Sequence, residues 1–335
     1  MGSLRHAIGS RLPHGWTNRL RTIVRGADQL AGLPLSPLRP GAVAMFHIGR
    51  CGSSVLGEML DRHPAILWDR EIYFHRWTAG HQRFERWDSE GFLRRRMWAA
   101  GRRWYGFEVK FLAEQHLAII ALPLADYLAE IQRAGVTHHV ILRRRNALRR
   151  MISAAAGRAT GRRHATALRE SASARSAATT PHTTPHTTPH TTPHTTPHTT
   201  PTADADADAA PGTIAVAPET APDRVRLDVA ATRLWQGGEK RSLAACLDEI
   251  ERAYDDLSAR LEGTRVLDLE FEGDIAHAGP QRGYERVCEY LGIEPRVVSP
   301  HTRRLHDRPV HELVVNFDEI AAALRDTRHA WMLDS

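Results

Sequence analysis

Apolar and polar positions follow three different rhythms along the chain. From Ala42 to about Gly161, short apolar runs alternate with segments of helical spacing, the pattern of a parallel α/β fold. The run Val43-Ala44-Met45-Phe46-His47-Ile48 predicts a buried strand. After Gly49-Arg50-Cys51-Gly52-Ser53-Ser54, the residues Val55, Leu56, Met59 and Leu60 recur at the spacing of an amphipathic helix that closes by Pro64. Tyr105–Phe111 reads as a second strand, residues 122–134 as a helix, and Thr137–Leu142 as a third strand ending in Arg143-Arg144-Arg145. From Arg224 onward globular periodicity returns.

Residues 162 to about 222 break this order. Ala, Ser, Thr and Pro dominate, and Thr-Thr-Pro-His repeats from Thr179 to His198 before the acidic-alanine run Ala203–Ala210. So little apolar surface cannot offset the entropy of ordering, and the repeated prolines block helix and central strand. The expectation is a disordered insertion. Its histidines His182, His186, His190, His194 and His198 are able to ligate a transition metal, but repeat expansion alone produces their spacing and no metal site is assigned to them. The pattern therefore predicts a basic leader over residues 1–41 and one domain over 42–335, interrupted at about 162–222. Its fold class is a three-layer α/β/α arrangement with a central parallel sheet and a P-loop-like strand–loop–helix at Phe46–Leu60.

Composition narrows the chemistry only slightly. With 335 residues and 42% hydrophobic positions, the chain has material for a sizeable core. Its formal net charge of +6 is carried almost wholly by arginine, Lys110 and Lys240 being the only lysines. Guanidinium groups grip phosphate and sulfate in a bidentate fork, which suits an anionic ligand, although codon bias produces the same excess. Cys51, Cys246 and Cys288 are odd in number and widely spaced, so they draw neither a disulfide framework nor a zinc pattern. A reducing, cytoplasmic setting is the natural expectation. No apolar run is long enough to span a bilayer, and Arg5, Arg11, Arg19, Arg21 and Arg25 interrupt any signal-peptide core. The leader is free of acids before Asp28, and Trp16, Leu20 and Ile23 suit either a solvated segment or a membrane-surface helix.

The strand–loop–helix is an anion-binding device. Gly49 and Gly52 allow a tight turn in which successive N–H groups point at one anion, and the following helix adds its positive end. Arg50 supplies a full charge, while Ser53 and Ser54 offer hydroxyl donors. An ordinary βα turn with a serine cap is the plain alternative. GxxxxGK[ST] is absent and no lysine lies near, so ATP with magnesium fits poorly. A kinase with a degenerate loop remains one rival. A non-catalytic nucleic-acid binder using the arginines and tryptophans of Trp77–Trp104 is another, though no nucleic-acid partner is expected.

Phe46-His-Ile-Gly-Arg-Cys-Gly-Ser-Ser-Val-Leu56 resembles the 5′-phosphosulfate loop of sulfotransferases that use 3′-phosphoadenosine 5′-phosphosulfate (PAPS). Cys51 stands where that family commonly has serine, and Ser53 where it has threonine. Arg145-Asn146-Ala147, with Ser153 eight residues on, is similar to the family's 3′-phosphate signature, and Arg144 is the reserve for the arginine. The resemblance covers roughly residues 42–160 and 225–335. It implies PAPS as co-substrate, no required metal, and an acceptor hydroxyl or amine on a glycan, lipid or natural product. Gly49, Arg50, Cys51, Gly52, Ser53, Ser54, Arg145 and Ser153 would then hold the donor.

The same resemblance suggests the catalytic groups. Some members place a histidine base two residues after a strand lysine; here the lysine is Lys110 and Leu112 stands at the histidine position. Others use a glutamate soon after the first helix, where this chain has Glu71, with Glu108 a second candidate. A surface pair of Glu71 with Arg70 or Arg76 is the plain alternative. Arg50 and Lys110 would stabilise the leaving phosphate and the sulfuryl oxygens. Val266–Glu272 followed by Asp274 resembles the family's strand and turn, and the helix over Tyr284–Leu291 resembles its ending. Arg303-Arg304 and the closing helix expected over Val314–Glu319 match weaker family features, and Phe74–Met97, with Trp77, Trp87 and Trp98, is the stretch expected at the acceptor pocket.

Overall fold

The computed structural model describes residues 39–73, 86–159, 165–166, 224–235, 238–277, 279–300, 302–303 and 308–334. The leader up to residue 38, the repeat with its histidines, Trp77, Arg76 and Arg304 lie outside the described residues.

Five strands, β1 (Ala42–His47), β2 (Ile66–Glu71), β3 (Trp104–Lys110), β4 (His138–Arg143) and β6 (Arg265–Glu270), form one sheet in the order β2-β3-β1-β4-β6. Every pairing in it is parallel. A separate antiparallel pair joins β5 (Ala165–Thr166) to β7 (Thr302–Arg303). β1 is central and buried along its whole length, which is why its sequence is one apolar run without alternation. β2 lies at the sheet edge and alternates buried with half-exposed positions, so Ile66-Leu67-Trp68-Asp69-Arg70-Glu71 carries too weak an apolar signal to read as a strand beforehand.

The side chains of β1 divide between two cores. Val43 and Met45 pack with Val140 and Leu142 beneath α1 (Ser53–Asp61) and α7 (Pro280–Tyr290). Ala42, Ala44 and Phe46 face the opposite layer, with α2 (Ser89–Trp98), α3 (His116–Ile120), α4 (Leu124–Ala134), α5 (Ala147–Ala159) and α6 (Leu243–Arg260). The three-layer α/β/α expectation is met. Two short C-terminal helices, α8 (Val310–Leu313) and α9 (Phe317–Leu324), complete the second layer. The closing helix thus begins at Phe317 rather than Val314, whose backbone instead makes a bridge to Val225. Similarly, Phe271 and Glu272 leave the strand for a π-helical turn, Phe271–His277, where Asp274 accepts the Glu270 N–H at 2.8 Å. Among the described residues no helix is long and apolar enough to cross a membrane.

Of the stretch expected at an acceptor pocket, residues 74–85 lie outside the described residues, and α2 forms its end. Leu93 and Met97 are buried against the sheet, and Trp87 packs edge-on against Phe92 at 5.8 Å. From this helix the chain leads within a few residues to Trp104 at the start of β3. Leu93 and Met97 serve the core, while Trp98 is exposed.

Connections fix where a ligand can sit. From β1 the chain crosses one face through α1 toward β2; from β4 it crosses the other face through α5 and α6 toward β6. The neighbours β1 and β4 thus lead away in opposite directions, opening a crevice at their C-terminal ends.

Gly106 illustrates how closely β2 and β3 pack, since a Cβ there would lie 2.2 Å from the Trp68 ring. Gly106→Ala should lower the unfolding free energy by about 1–3 kcal/mol in denaturant titration. Gly273→Ala, where nothing lies within 4 Å, should be neutral or raise stability by several tenths of a kcal/mol.

Candidate functional site

The loop after β1 turns through left-handed backbone at Gly49, Arg50 and Gly52, with φ of 82°, 61° and 87°. At Gly52 a side chain is excluded twice, by that conformation and by Phe271 and Ile275, which would lie 2.9 and 3.0 Å from a Cβ. The carbonyls of this loop are held from behind. Arg150, buried in α5, donates to Ile48 O at 2.8 Å, Gly49 O at 3.4 Å and Leu234 O at 3.2 Å. Gln115 adds a bond to Ile48 O at 3.2 Å, and Arg144 donates to Arg50 O at 3.2 Å. Burial draws the Arg150 pKa down to about 10, which leaves the guanidinium charged at neutral pH.

With the carbonyls tied back, the amides are left forward. No acceptor among the described residues is bonded to the N–H groups of Cys51, Gly52, Ser53 or Ser54. Val55 and Leu56 already donate to Gly52 O, so the row stands at the N-terminus of α1, where an anion is favoured by about 0.3–1 kcal/mol per charge. Arg50 Nε donates to Ser153 Oγ at 3.0 Å, which joins the two stretches singled out in the sequence. Lys110 borders the loop on the other side, its Cε lying 3.3 Å from where a Gly49 Cβ would stand.

The remaining arginines divide. Arg144 lies buried over Phe271, its Cζ 4.6 Å from the ring centroid. Arg145 is more exposed, 3.8 Å from Glu270 and 6.0 Å from the centre of Trp331. Glu272 accepts the backbone N–H groups of Arg145 and Asn146 at 2.9 and 3.1 Å, so a carboxylate occupies the turn before α5. Ser153 accepts from Arg50. Only the backbone of Arg303 is described, so its side chain cannot be placed here.

Glu71 ends β2 beside Lys110, which ends β3, and the Lys110 Nζ–Glu71 Oε2 distance is 2.6 Å. The surface pairs considered for Glu71 are not formed with Arg70, which lies 3.9 Å from Asp61. His116 Nε2 stands 3.5 Å from the same Glu71 oxygen. Burial works against the charge on Glu71, but the His116 N–H, Lys110 and the His47 ring outweigh it and hold the carboxyl far below its ordinary value. Lys110 also lies 5.2 Å from the Trp235 ring centre, a cation–π contact.

Glu108 sits deeper. It accepts from Trp68 Nε1 at 2.9 Å and lies 3.4 Å from His47 Nε2, beneath Gly57 of α1. The second base candidate is thus part of the buried support. Burial resists charge on His47, yet Cys51 and Glu108 overcome it and draw its pKa up to about 9. A second proton on Nδ1 would strip the Gly49 N–H of its acceptor at 3.0 Å, so loop and acidic neighbours pull the ring in opposite directions.

His47, Glu71 and Glu108 place possible ligand atoms within 4.8 Å of one another. Whether Nδ1 accepts from Gly49 or the ring is doubly protonated, however, Nε2 carries a proton and no lone pair faces the two carboxylates. Lys110 already neutralises Glu71. Asp248, Glu251 and His329 form a second such group, where Arg328 pairs with both carboxylates at 2.6 and 3.0 Å. These arrangements are ion-pair networks.

His47, His116, Arg150, Trp235 and Glu272 were not anticipated. Arg150 alone left a trace, as a charge inside the apolar helical spacing Ala147, Met151 and Ile152. Compared with known proteins, the chain matches no family model, no curated protein and no solved structure.

Two outcomes follow from this geometry. Arg150→Met should lower stability by roughly 2–4 kcal/mol in denaturant unfolding, because buried carbonyls lose a charged donor. Lys110→Met should raise the Glu71 pKa, and the sign of the stability effect is fixed by linkage. A depressed carboxyl stabilises above its unfolded pKa and loses that contribution as pH falls through the folded value. The stability gap between wild type and Lys110→Met should therefore be widest near pH 7 and narrow on acidification.

Proposed function

We propose that the chain is a sulfotransferase that moves a sulfuryl group from PAPS to a hydroxyl or amine of a glycan, lipid or natural-product acceptor. The observation that carries this reading is the row of N–H groups from Cys51 to Ser54, without bonded acceptors among the described residues. Arg50, Lys110 and Ser153 border that row. This donor set fits the 5′-phosphosulfate end of PAPS: amides and a helix terminus for phosphate oxygens, and two cations for charge that grows on the leaving group. Ser153, with Arg145 or Arg144, is assigned to the 3′-phosphate.

Glu71 takes the acceptor's proton while the acceptor atom forms its bond to sulfur. The bond from sulfur to the bridging oxygen breaks in line, and its electron pair leaves on the phosphate of 3′,5′-adenosine bisphosphate. Arg50, Lys110 and the loop amides stabilise that charge, each such donor contributing on the order of 10²–10³ in rate. Proton removal by Glu71 adds about 10²–10⁴. Lys110 has to exchange partners for this to work. While paired with Glu71 it suppresses the carboxylate's basicity, and on turning to the sulfuryl oxygens it restores it.

Calorimetric titration with 3′,5′-adenosine bisphosphate tests the reading, with ATP–magnesium run alongside. Micromolar affinity for the bisphosphate without magnesium is expected. No heat from the bisphosphate together with binding of ATP–magnesium would replace the reading with a degenerate-loop kinase. Glu71→Gln should keep the bisphosphate affinity within a few fold and reduce turnover at least about a hundredfold; unchanged turnover would remove Glu71 as the base.

A further inference from the structure

Glu71 meets Lys110 and His116 through one oxygen, at 2.6 and 3.5 Å. The two partners are held very differently. Lys110 is a point charge on a flexible four-carbon stem, which can swing between acceptors without disturbing the backbone. His116 is fully buried as the first residue of α3. Its Nδ1 accepts the Lys110 backbone N–H at 3.0 Å, and its ring packs edge-on against Tyr73 with centroids 6.1 Å apart. Because Nδ1 is an acceptor, the proton of the neutral ring is on Nε2, the atom that faces Glu71. Burial favours that neutral ring, Lys110 and His47 favour it further, and Glu71 opposes them without prevailing.

We infer that His116 is the positioning residue of the site: its Nε2–H holds Glu71 Oε2 in place while Lys110 moves from the carboxylate to the donor. The inference rests on the reading of Glu71 as the base. A carboxylate released by its lysine and given no other donor is free to rotate, and a misplacement of about 1 Å can lower a rate a hundredfold. At 3.5 Å the contact is longer than a good hydrogen bond and has room to shorten once Lys110 lets go. The other charged or titratable groups around Glu71 are His47 on β1, Glu108 and Lys110 on β3. His116 is the one among them joined to Glu71 from a helix rather than a strand, and its tautomer is set by the backbone of the very lysine that moves.

Two substitutions separate holding the carboxylate from holding the fold. In His116→Asn the side-chain oxygen can still accept the Lys110 N–H, but Glu71 loses its donor. In His116→Gln the amide can reach Glu71 at the expense of the Lys110 N–H bond. With PAPS as donor and 2-naphthol as test acceptor, His116→Asn should lower kcat roughly ten- to a hundredfold. KM for 2-naphthol and affinity for the bisphosphate should stay within about twofold, and the acid limb of kcat should move to higher pH. His116→Gln should recover most of the rate.

A second readout needs no turnover. In ¹³C-glutamate NMR of the unliganded chain, assigned with Glu71→Gln, the Glu71 carboxyl should titrate at higher pH in His116→Asn than in wild type. An unmoved titration, or a Gln variant as impaired as the Asn variant, overturns the inference. A moved titration with no binding of the bisphosphate overturns the sulfotransferase reading and leaves the His116–Glu71 contact standing.

Discussion

Arg150 donates to Ile48 O, Gly49 O and Leu234 O from a position with almost no access to water. A buried guanidinium persists only where its donors are satisfied, and here backbone carbonyls satisfy them instead of a carboxylate. The consequence is directional. Each carbonyl drawn toward α5 turns the adjoining peptide, so the loop presents its amide side to the crevice between β1 and β4. The positive-φ positions at Gly49, Arg50 and Gly52 are what the chain accepts in order to make that turn. Without the clamp, the loop would have neither its shape nor its polarity.

Charge in the crevice is balanced locally. Lys110 lies against Glu71, and His47 lies between Glu108 and the loop amide of Gly49. Pairing of this kind leaves the unliganded site nearly neutral at its base, while Arg50 and the amides of α1 keep the rim positive. Such a rim would favour an anion. Trp235 lies against Lys110 and Leu234 O accepts from Arg150, so a stretch that follows the low-complexity insertion in sequence reaches these residues.

Much of this architecture was legible beforehand, and the reasons are physical. β1, β3 and β4 are interior strands buried on both faces, so their apolar runs announced them. The glycines of the loop and the helical spacing after it marked a strand–loop–helix. β2 was missed because an edge strand shows solvent half of its residues. The loop was legible where chemistry follows local order, as in Gly49–Ser54, whereas the contact of Ser153 with Arg50 was not foreseen, since the sequence paired that serine with Arg145 or Arg144. It was illegible where distant elements supply one side chain each. His116 follows Lys110 by a short turn with no periodic signal, and Glu272 reaches the start of α5 from the far end of β6.

Gly52 touches the π-helical turn so closely that Phe271 and Ile275 occupy the space a methyl group would need. Two pieces of chain far apart in sequence thus share one volume. Any drift toward a larger side chain at position 52 has to be answered by a smaller one at 271 or 275, and the loop's backbone conformation limits even that exchange. The three positions therefore form a single unit of variation. Among descendants of this sequence they should change together or stay fixed, whatever length the repeat between them reaches.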